Sequence, residues 1–275
     1  MHNSKLAVQT QALLKKYNLE PNLINFGQHF LVDSETIKFF IQLLELETED
    51  LVLEIGPGLG YFTEEIAKKA KQITAVEIDK RLKPILNKVQ KKYSNINLIF
   101  SNILEYKKYD FDIVCGALAY NIFEPLLRQL IYQIKFQRAV FIVSQRFQTE
   151  YQEMNNLTAL MVDAFFQVEM IKELPIDLFY PRPQYPGLLI KLIPEVKKDK
   201  YHFLLREILL QKNRRLRKSL KLAVIKWFEQ QGQIVSETEV KEKIKFITQA
   251  PETREPIFQV SKEYLQVFIQ QLKQF

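Results

Sequence analysis

The sequence predicts an α/β fold, a parallel sheet wound with helices, followed by a smaller helical domain. Three observations carry this expectation. From about residue 50, short apolar runs alternate with segments of helical period. The run 51–55 passes directly into Gly56-Pro57-Gly58-Leu59-Gly60 and then into a helical segment. Strand signals cease after Pro194.

Taken in order, the first strong element is a helix entered at Asp33. This residue suits an N-cap, Glu35 lies in the first turn, and Ile37, Phe40, Ile41 and Leu44 recur on one face. Strands are expected at 51–55, 72–77, 96–100, 111–115, 138–144, 168–173 and 187–193, enough for one seven-stranded sheet. Phe62, Ile66 and Ala70 mark the first crossover helix, and Leu82, Ile85, Leu86 and Val89 the second. This alternation is Rossmann-like. The boundary falls near 194–199, giving domains at 1–195 and 196–275, the second helical and punctuated by Pro251 and Pro256.

Composition narrows the setting. A chain of 275 residues, 47% hydrophobic and 26% charged, is ordinary globular material. One cysteine, Cys115, rules out an internal disulfide, and His2, His29 and His202 lack metal-ligand spacing, so a reducing cytoplasmic setting without metal is expected. Cys115 closes an apolar strand and reads as a small buried hydrophobe. No apolar run approaches the roughly 20 residues that cross a bilayer, so no membrane partner is expected. Residues 1–19 hold lysines and no acid, a transit-peptide composition. The net charge of +7 is concentrated: residues 197–226 alone carry +9. Such a segment is either a solvated helix face or a polyanion-binding surface, because neutralised phosphates release counterions.

The glycine loop discriminates between ligands. A dinucleotide site asks for GxGxxG around a pyrophosphate, whereas this loop is GxGxG preceded by Glu54, which makes a nicotinamide oxidoreductase the weaker reading. The next strand ends in Val76-Glu77-Ile78-Asp79, placing Glu77 where a ribose presents its hydroxyls. The third ends in Ser101-Asn102, where Asn102 can read an adenine edge. Strand, GxGxG, helix, strand and acid in this order describe a methyltransferase-type nucleoside site.

These residues resemble the ribosomal RNA adenine dimethyltransferases almost end to end. Asn25-Phe26-Gly27-Gln28-His29-Phe30-Leu31 is similar to the family's GQ(N/H)FL segment. Glu54 to Thr63 and Val76 to Asp79 follow its pattern, Phe179-Tyr180-Pro181-Arg182-Pro183 resembles FxPxP, and Asn213 to Leu220 its basic helix. The resemblance implies S-adenosylmethionine held by Gln28, His29, Leu31, Gly56, Gly58, Gly60, Glu77 and Asn102. It implies ribosomal RNA or the small ribosomal subunit as partner, contacted by Arg214, Arg215, Arg217 and Lys218, and a monomer in the cytoplasm.

In the family the methyl goes to the exocyclic amine of an extruded adenine. An aromatic amine is a weak nucleophile, its lone pair delocalised into the ring, so acceptors on its hydrogens and an aromatic face for the base are needed. The family supplies them with Asn-Leu-Pro-Tyr; here the stretch is Ala117-Leu118-Ala119-Tyr120. Ala117 stands at the Asn position and Ala119 at the Pro position, leaving backbone carbonyls of 117–119, with Tyr120 and Phe179 to sandwich the base. Losing one preorganised acceptor costs roughly 2–4 kcal/mol, about 10²–10³ in rate. Asn102 stands where the family has Asp, Gln145-Arg146-Phe147 lacks an acid, and the loop before Leu157 is short. Two readings follow: an rRNA adenine methyltransferase working with a reduced acceptor set, or a descendant that kept the RNA surface as an assembly or transcription-related factor.

Overall fold

The computed structural model describes residues 5–21, 26–107, 110–119, 121–154, 156–211 and 213–275. Contacts divide the chain into two compact units, 1–148 with 168–194, and 149–167 with 195–275. Residues 149–167 therefore group with the C-terminal unit and not with a continuous 1–195. The reason is local: the helix Leu157–Phe165 packs against Lys200–Leu209, and Lys197 Nζ donates to the Asp163 carboxylate at 2.9 Å.

The first unit holds a seven-stranded sheet. Its strands β2 (Leu51–Ile55), β3 (Gln72–Glu77), β4 (Ile96–Phe100), β5 (Ile113–Ala117), β6 (Arg138–Ser144), β7 (Phe166–Leu174) and β9 (Gly187–Pro194) lie in the order β4-β3-β2-β5-β6-β9-β7. Strands β4 to β6 run parallel and β9 is antiparallel to β6. All seven expected strands form. The fourth of them, β5, begins at Ile113 instead of residue 111 and extends to Ala117, because Ala117 finds a ladder partner in Ile142. A separate two-stranded sheet, β1 (Phe30–Leu31) with β8 (Phe179–Tyr180), is not signalled by period because each strand is two residues long.

Parallel strands covered on both faces need apolar residues of both parities. Val52, Ile73, Ile113, Cys115, Val140, Ile142 and Leu189 share one cluster with Ile37, Phe40 and Ile41 of α2 (Ser34–Leu43) and Phe62 and Ile66 of α3 (Tyr61–Ala67). Phe40 stacks on Phe62 with ring centroids 4.2 Å apart. As expected, Asp33 caps α2, its carboxylate accepting from Thr36 N at 2.8 Å. A second cluster joins Ala7 and Leu14 of α1 (Lys5–Lys16) to Leu59 and to Ile85 and Leu86 of α4 (Lys83–Gln90). The helix α5 (Phe123–Tyr132) follows β5.

The C-terminal unit contains α7 (Leu157–Phe165), α8 (Lys200–Leu209), α9 (Leu216–Gln230) and α12 (Lys262–Gln274), with the short helices α10 (Glu237–Lys243) and α11 (Lys245–Thr248); α6 (Arg146–Glu153) begins in the first unit. Among the described residues no helix is long and apolar enough to cross a membrane, and no group of His, Cys, Asp and Glu is arranged to hold a metal ion.

One position in the sheet admits only glycine. A Cβ on Gly116 would lie on the Ile55 carbonyl oxygen, far inside van der Waals contact. The Gly116→Ala variant is expected to lose about 1–3 kcal/mol or more by overpacking, read as a lower urea midpoint at unchanged m-value.

Candidate active site

The parallel strands end at one level, and beyond their carboxyl ends lies a cavity of about 610 Å³ bounded by residues of the first unit. This volume is in the range of small-molecule sites. The loop after β2 forms its floor. Gly56 has φ +69° and Gly58 φ +58°, in the left-handed region that favours glycine. A Cβ on Gly56 would meet nothing, so the backbone there stays open to a ligand, whereas one on Gly58 would press on the Phe30 ring at 3.3 Å. Gly60 is not part of the wall; it caps α3 with φ +83°, and a Cβ there would meet Val89 at 3.0 Å. Its hydrogen sits against α4, a packing requirement.

Acidic side chains organise this floor. Glu77, at the end of β3, is 4% exposed and borders the cavity. Its two oxygens accept from Gly58 N at 2.9 Å and Asp79 N at 2.8 Å, fixing the carboxylate while each oxygen keeps a further lone pair. Burial pushes its pKa up in spite of those bonds. Asp79 accepts from Arg81 Nη2 at 2.7 Å and Gln28 Nε2 at 2.8 Å. Burial works against its charge, but these donors outweigh it and hold Asp79 below the usual carboxylate range. Glu54 is fully buried, and one oxygen accepts from Thr63 Oγ1 at 2.6 Å while the other has no partner among the described residues. Burial, reinforced by the nearby Glu77, pushes its pKa up to about 8. The adjacent Cys115 is likewise fully buried, and burial together with Glu54 raises its thiol well above the ordinary value, a poor state for a nucleophile.

The 26–32 segment closes another wall. Phe30 pairs with Tyr180 and Leu31 with Phe179, and Val32 N donates to Leu178 O at 2.8 Å. His29 Nδ1 donates to the Pro181 carbonyl at 2.8 Å. Two sequence motifs of separate origin thereby become one structural piece. Gln28, His29, Leu31 and Phe179 all border the cavity, Phe179 in a slot that Gly187 leaves open, since a Cβ there would lie 3.0 Å from its ring.

The segment after β5 faces this wall. Ala117, Leu118, Ala119 and Asn121 border the cavity; Tyr120 lies outside the described residues. Leu118 N donates to Ile142 O at 2.9 Å, and the Ala119 carbonyl accepts from Ile122 N at 3.1 Å, so one of the expected backbone acceptors already carries a hydrogen bond. A Cβ on Gly27 would meet the Ala119 Cβ at 3.3 Å, which sets this turn against the 26–32 segment. Asn102 also borders the cavity, its Oδ1 accepting from Leu104 N at 3.1 Å. Cavity residues beyond those singled out from sequence include Asn121, Ile78 and Arg146, whose guanidinium lies 4.5 Å above the Tyr185 ring centroid. Ile78 had a signal, an apolar residue between two acids that the fold leaves 47% exposed. The Arg146 and Tyr185 pairing had none.

In the C-terminal unit, Arg214, Arg215 and Lys218 are exposed and Arg217 is half-buried at the start of α9. Among the described residues these four form no ion pair, whereas Lys221 and Lys226 further along are held by Glu237 and Glu207.

Residues 21–249 match the family described as ribosomal RNA adenine dimethylase. A probable ribosomal RNA small subunit methyltransferase A of Thermococcus onnurineus is 32% identical over 257 residues, covering 92% of each chain. Its counterpart in Thermococcus sibiricus is 33% identical over 193 residues, 68% of this chain and 70% of that one. The fold is similar to a dimethyladenosine transferase from Plasmodium falciparum, with TM-score 0.60, 21% identity and coverage of 89% and 98%. It is also similar to the 23S rRNA methyltransferase ErmE, with TM-score 0.57, 19% identity and coverage of 89% and 99%.

The titration of Glu54 sets a pH dependence. Its pKa is about 8 in the folded chain and near 4.5 when solvated, so its proton is bound more tightly after folding. The contribution to stability is complete below the unfolded value and is lost as pH rises through the folded one. Glu54→Gln keeps an acceptor for Thr63 and removes the titration; denaturant melts from pH 5 to about 9 are expected to show a flatter stability profile than the unmodified protein.

Proposed function

Because the chain belongs to the ribosomal RNA adenine dimethylase family, we propose that it transfers methyl groups from S-adenosylmethionine to exocyclic amines of adenines in small-subunit ribosomal RNA. The observation that carries this reading is the meeting, on one cavity, of the open glycine loop, the fixed Glu77 carboxylate and the segment after β5.

The residues present fit the cofactor. The Gly56 backbone offers unobstructed approach, Glu77 keeps lone pairs for two ribose hydroxyls, and Ile78 and Ile103 offer apolar contact to a purine. Gln28 acts at one remove, its amide holding Asp79 while Asp79 N holds Glu77. When bound, S-adenosylmethionine supplies a methyl already activated by its sulfonium. The protein has to present the amine in line with that methyl and keep water out. Phe179 provides a buried aromatic wall for the flipped base.

The free cations Arg214, Arg215, Arg217 and Lys218 contact phosphates of the substrate. Charge reversal of the four is expected to weaken binding to small-subunit RNA and to reduce the slope of log affinity against log salt by about one per lost contact. An unaltered salt slope contradicts this role.

Ala117 favours a second reading, a family member retained for its RNA surface. The two separate in a single-turnover transfer of labelled methyl from S-adenosylmethionine to unmethylated small ribosomal subunits. Transfer by the unmodified protein is the expected outcome. Subunit binding without transfer, with activity appearing only in Ala117→Asn, supports the second reading.

A further inference from the structure

The target amine needs an oxygen acceptor, and the side chain at position 117 has none. We propose that Asn121 supplies it, its side-chain carbonyl oxygen accepting a hydrogen bond from the exocyclic amine; this rests on the methyl-transfer reading above.

Three observations point to this residue. Asn121 borders the cavity together with Ala117, Leu118 and Ala119, on the wall where the amine has to be met. The chain reverses there, Ile122 N bonding to Ala119 O at 3.1 Å, and α5 starts at once with Leu126 N bonding to Ile122 O at 2.9 Å. The turn thus returns residue 121 to the site instead of carrying it away. Third, the Asn121 amide is exposed and makes no side-chain hydrogen bond among the described residues, so its oxygen has both lone pairs to offer.

Other polar groups on the cavity are engaged or unsuited. Gln28 is bound to Asp79, His29 to Pro181, and the Asn102 oxygen to Leu104 N. Arg146 has donors only. Gln184 alone competes as an amide, but it belongs to the loop after Pro183 and not to the segment after β5. Alanine at 117 and 119 also leaves this wall without the bulk of an amide or a pyrrolidine ring, which gives a base room to approach Asn121.

In the transfer, the nitrogen lone pair forms the new bond to the methyl carbon as the carbon–sulfur bond breaks and its electron pair stays on sulfur. The nitrogen becomes cationic, and its proton passes to solvent. An acceptor on the N–H favours the pyramidal amine and stabilises that growing positive charge.

The test is single-turnover methyl transfer to unmethylated small ribosomal subunits, with S-adenosylmethionine affinity and circular dichroism measured on every variant. Asn121→Ala is expected to slow transfer roughly 10²–10³-fold with cofactor affinity unchanged, the usual effect of deleting one preorganised group. Asn121→Asp keeps the oxygen and is expected to stay within about tenfold of the unmodified protein. Ala117→Asn added to Asn121→Ala is expected to restore at least about tenfold, a rescue that a merely structural role for Asn121 would not show. Retention of near-full activity in Asn121→Ala, or a comparable loss in Gln184→Ala instead, overturns the assignment while leaving methyl transfer standing. Absence of transfer by the unmodified, subunit-binding protein overturns both.

Discussion

The architecture turns on how closely β2 and β5 approach at their carboxyl ends. The Ile55 carbonyl occupies the place a side chain at 116 would need, so the strands meet backbone to backbone. That contact puts the glycine loop leaving β2 and the turn leaving β5 side by side. In the proposed reaction, one binds what donates the methyl and the other addresses what receives it. Transfer chemistry is steeply sensitive to such placement, since reacting atoms have to be held within a few tenths of an ångström of an in-line geometry.

The charges around this junction are arranged with equal economy. Glu77 is held by two backbone N–H groups, and Asp79 by Arg81 and Gln28, so both acids at the cavity floor are fixed by the protein itself. Glu54 is different: one of its oxygens lacks a partner among the described residues, and burial keeps the group protonated at neutral pH. A neutral acid there spares the site a third negative charge next to Glu77, while its bond to Thr63 ties β2 to the first turn of α3.

Much of this was legible in the sequence because it rests on period and punctuation. Seven apolar runs gave seven strands, Asp33 announced its helix, and Gly56, Gly58 and Glu77 lie on one cavity as their spacing required. What period cannot report is which loops meet. The two-residue strands β1 and β8 are too short for any alternation, and Arg146 finds Tyr185 only through the tertiary fold. Gly60 carries a second requirement that the motif does not show: its missing side chain makes room for Val89 and Leu86. The grouping of 149–167 with the C-terminal unit was equally hidden, because the sequence there reads as helix with no mark of which neighbour it serves.

The pairing of β1 with β8 has a consequence for biosynthesis. His29 and the carbonyl it engages lie 152 positions apart, with nearly the whole sheet encoded between them. A chain emerging from the ribosome amino end first can build β2 to β6 and the glycine loop well before β8 exists. The wall carrying Gln28, His29 and Phe179 is therefore assembled after them, through a closure whose entropic cost grows with the logarithm of the loop. A chain that ends before β8 lacks this wall, and the cavity acquires its last lining residues only when positions 179–187 have been added.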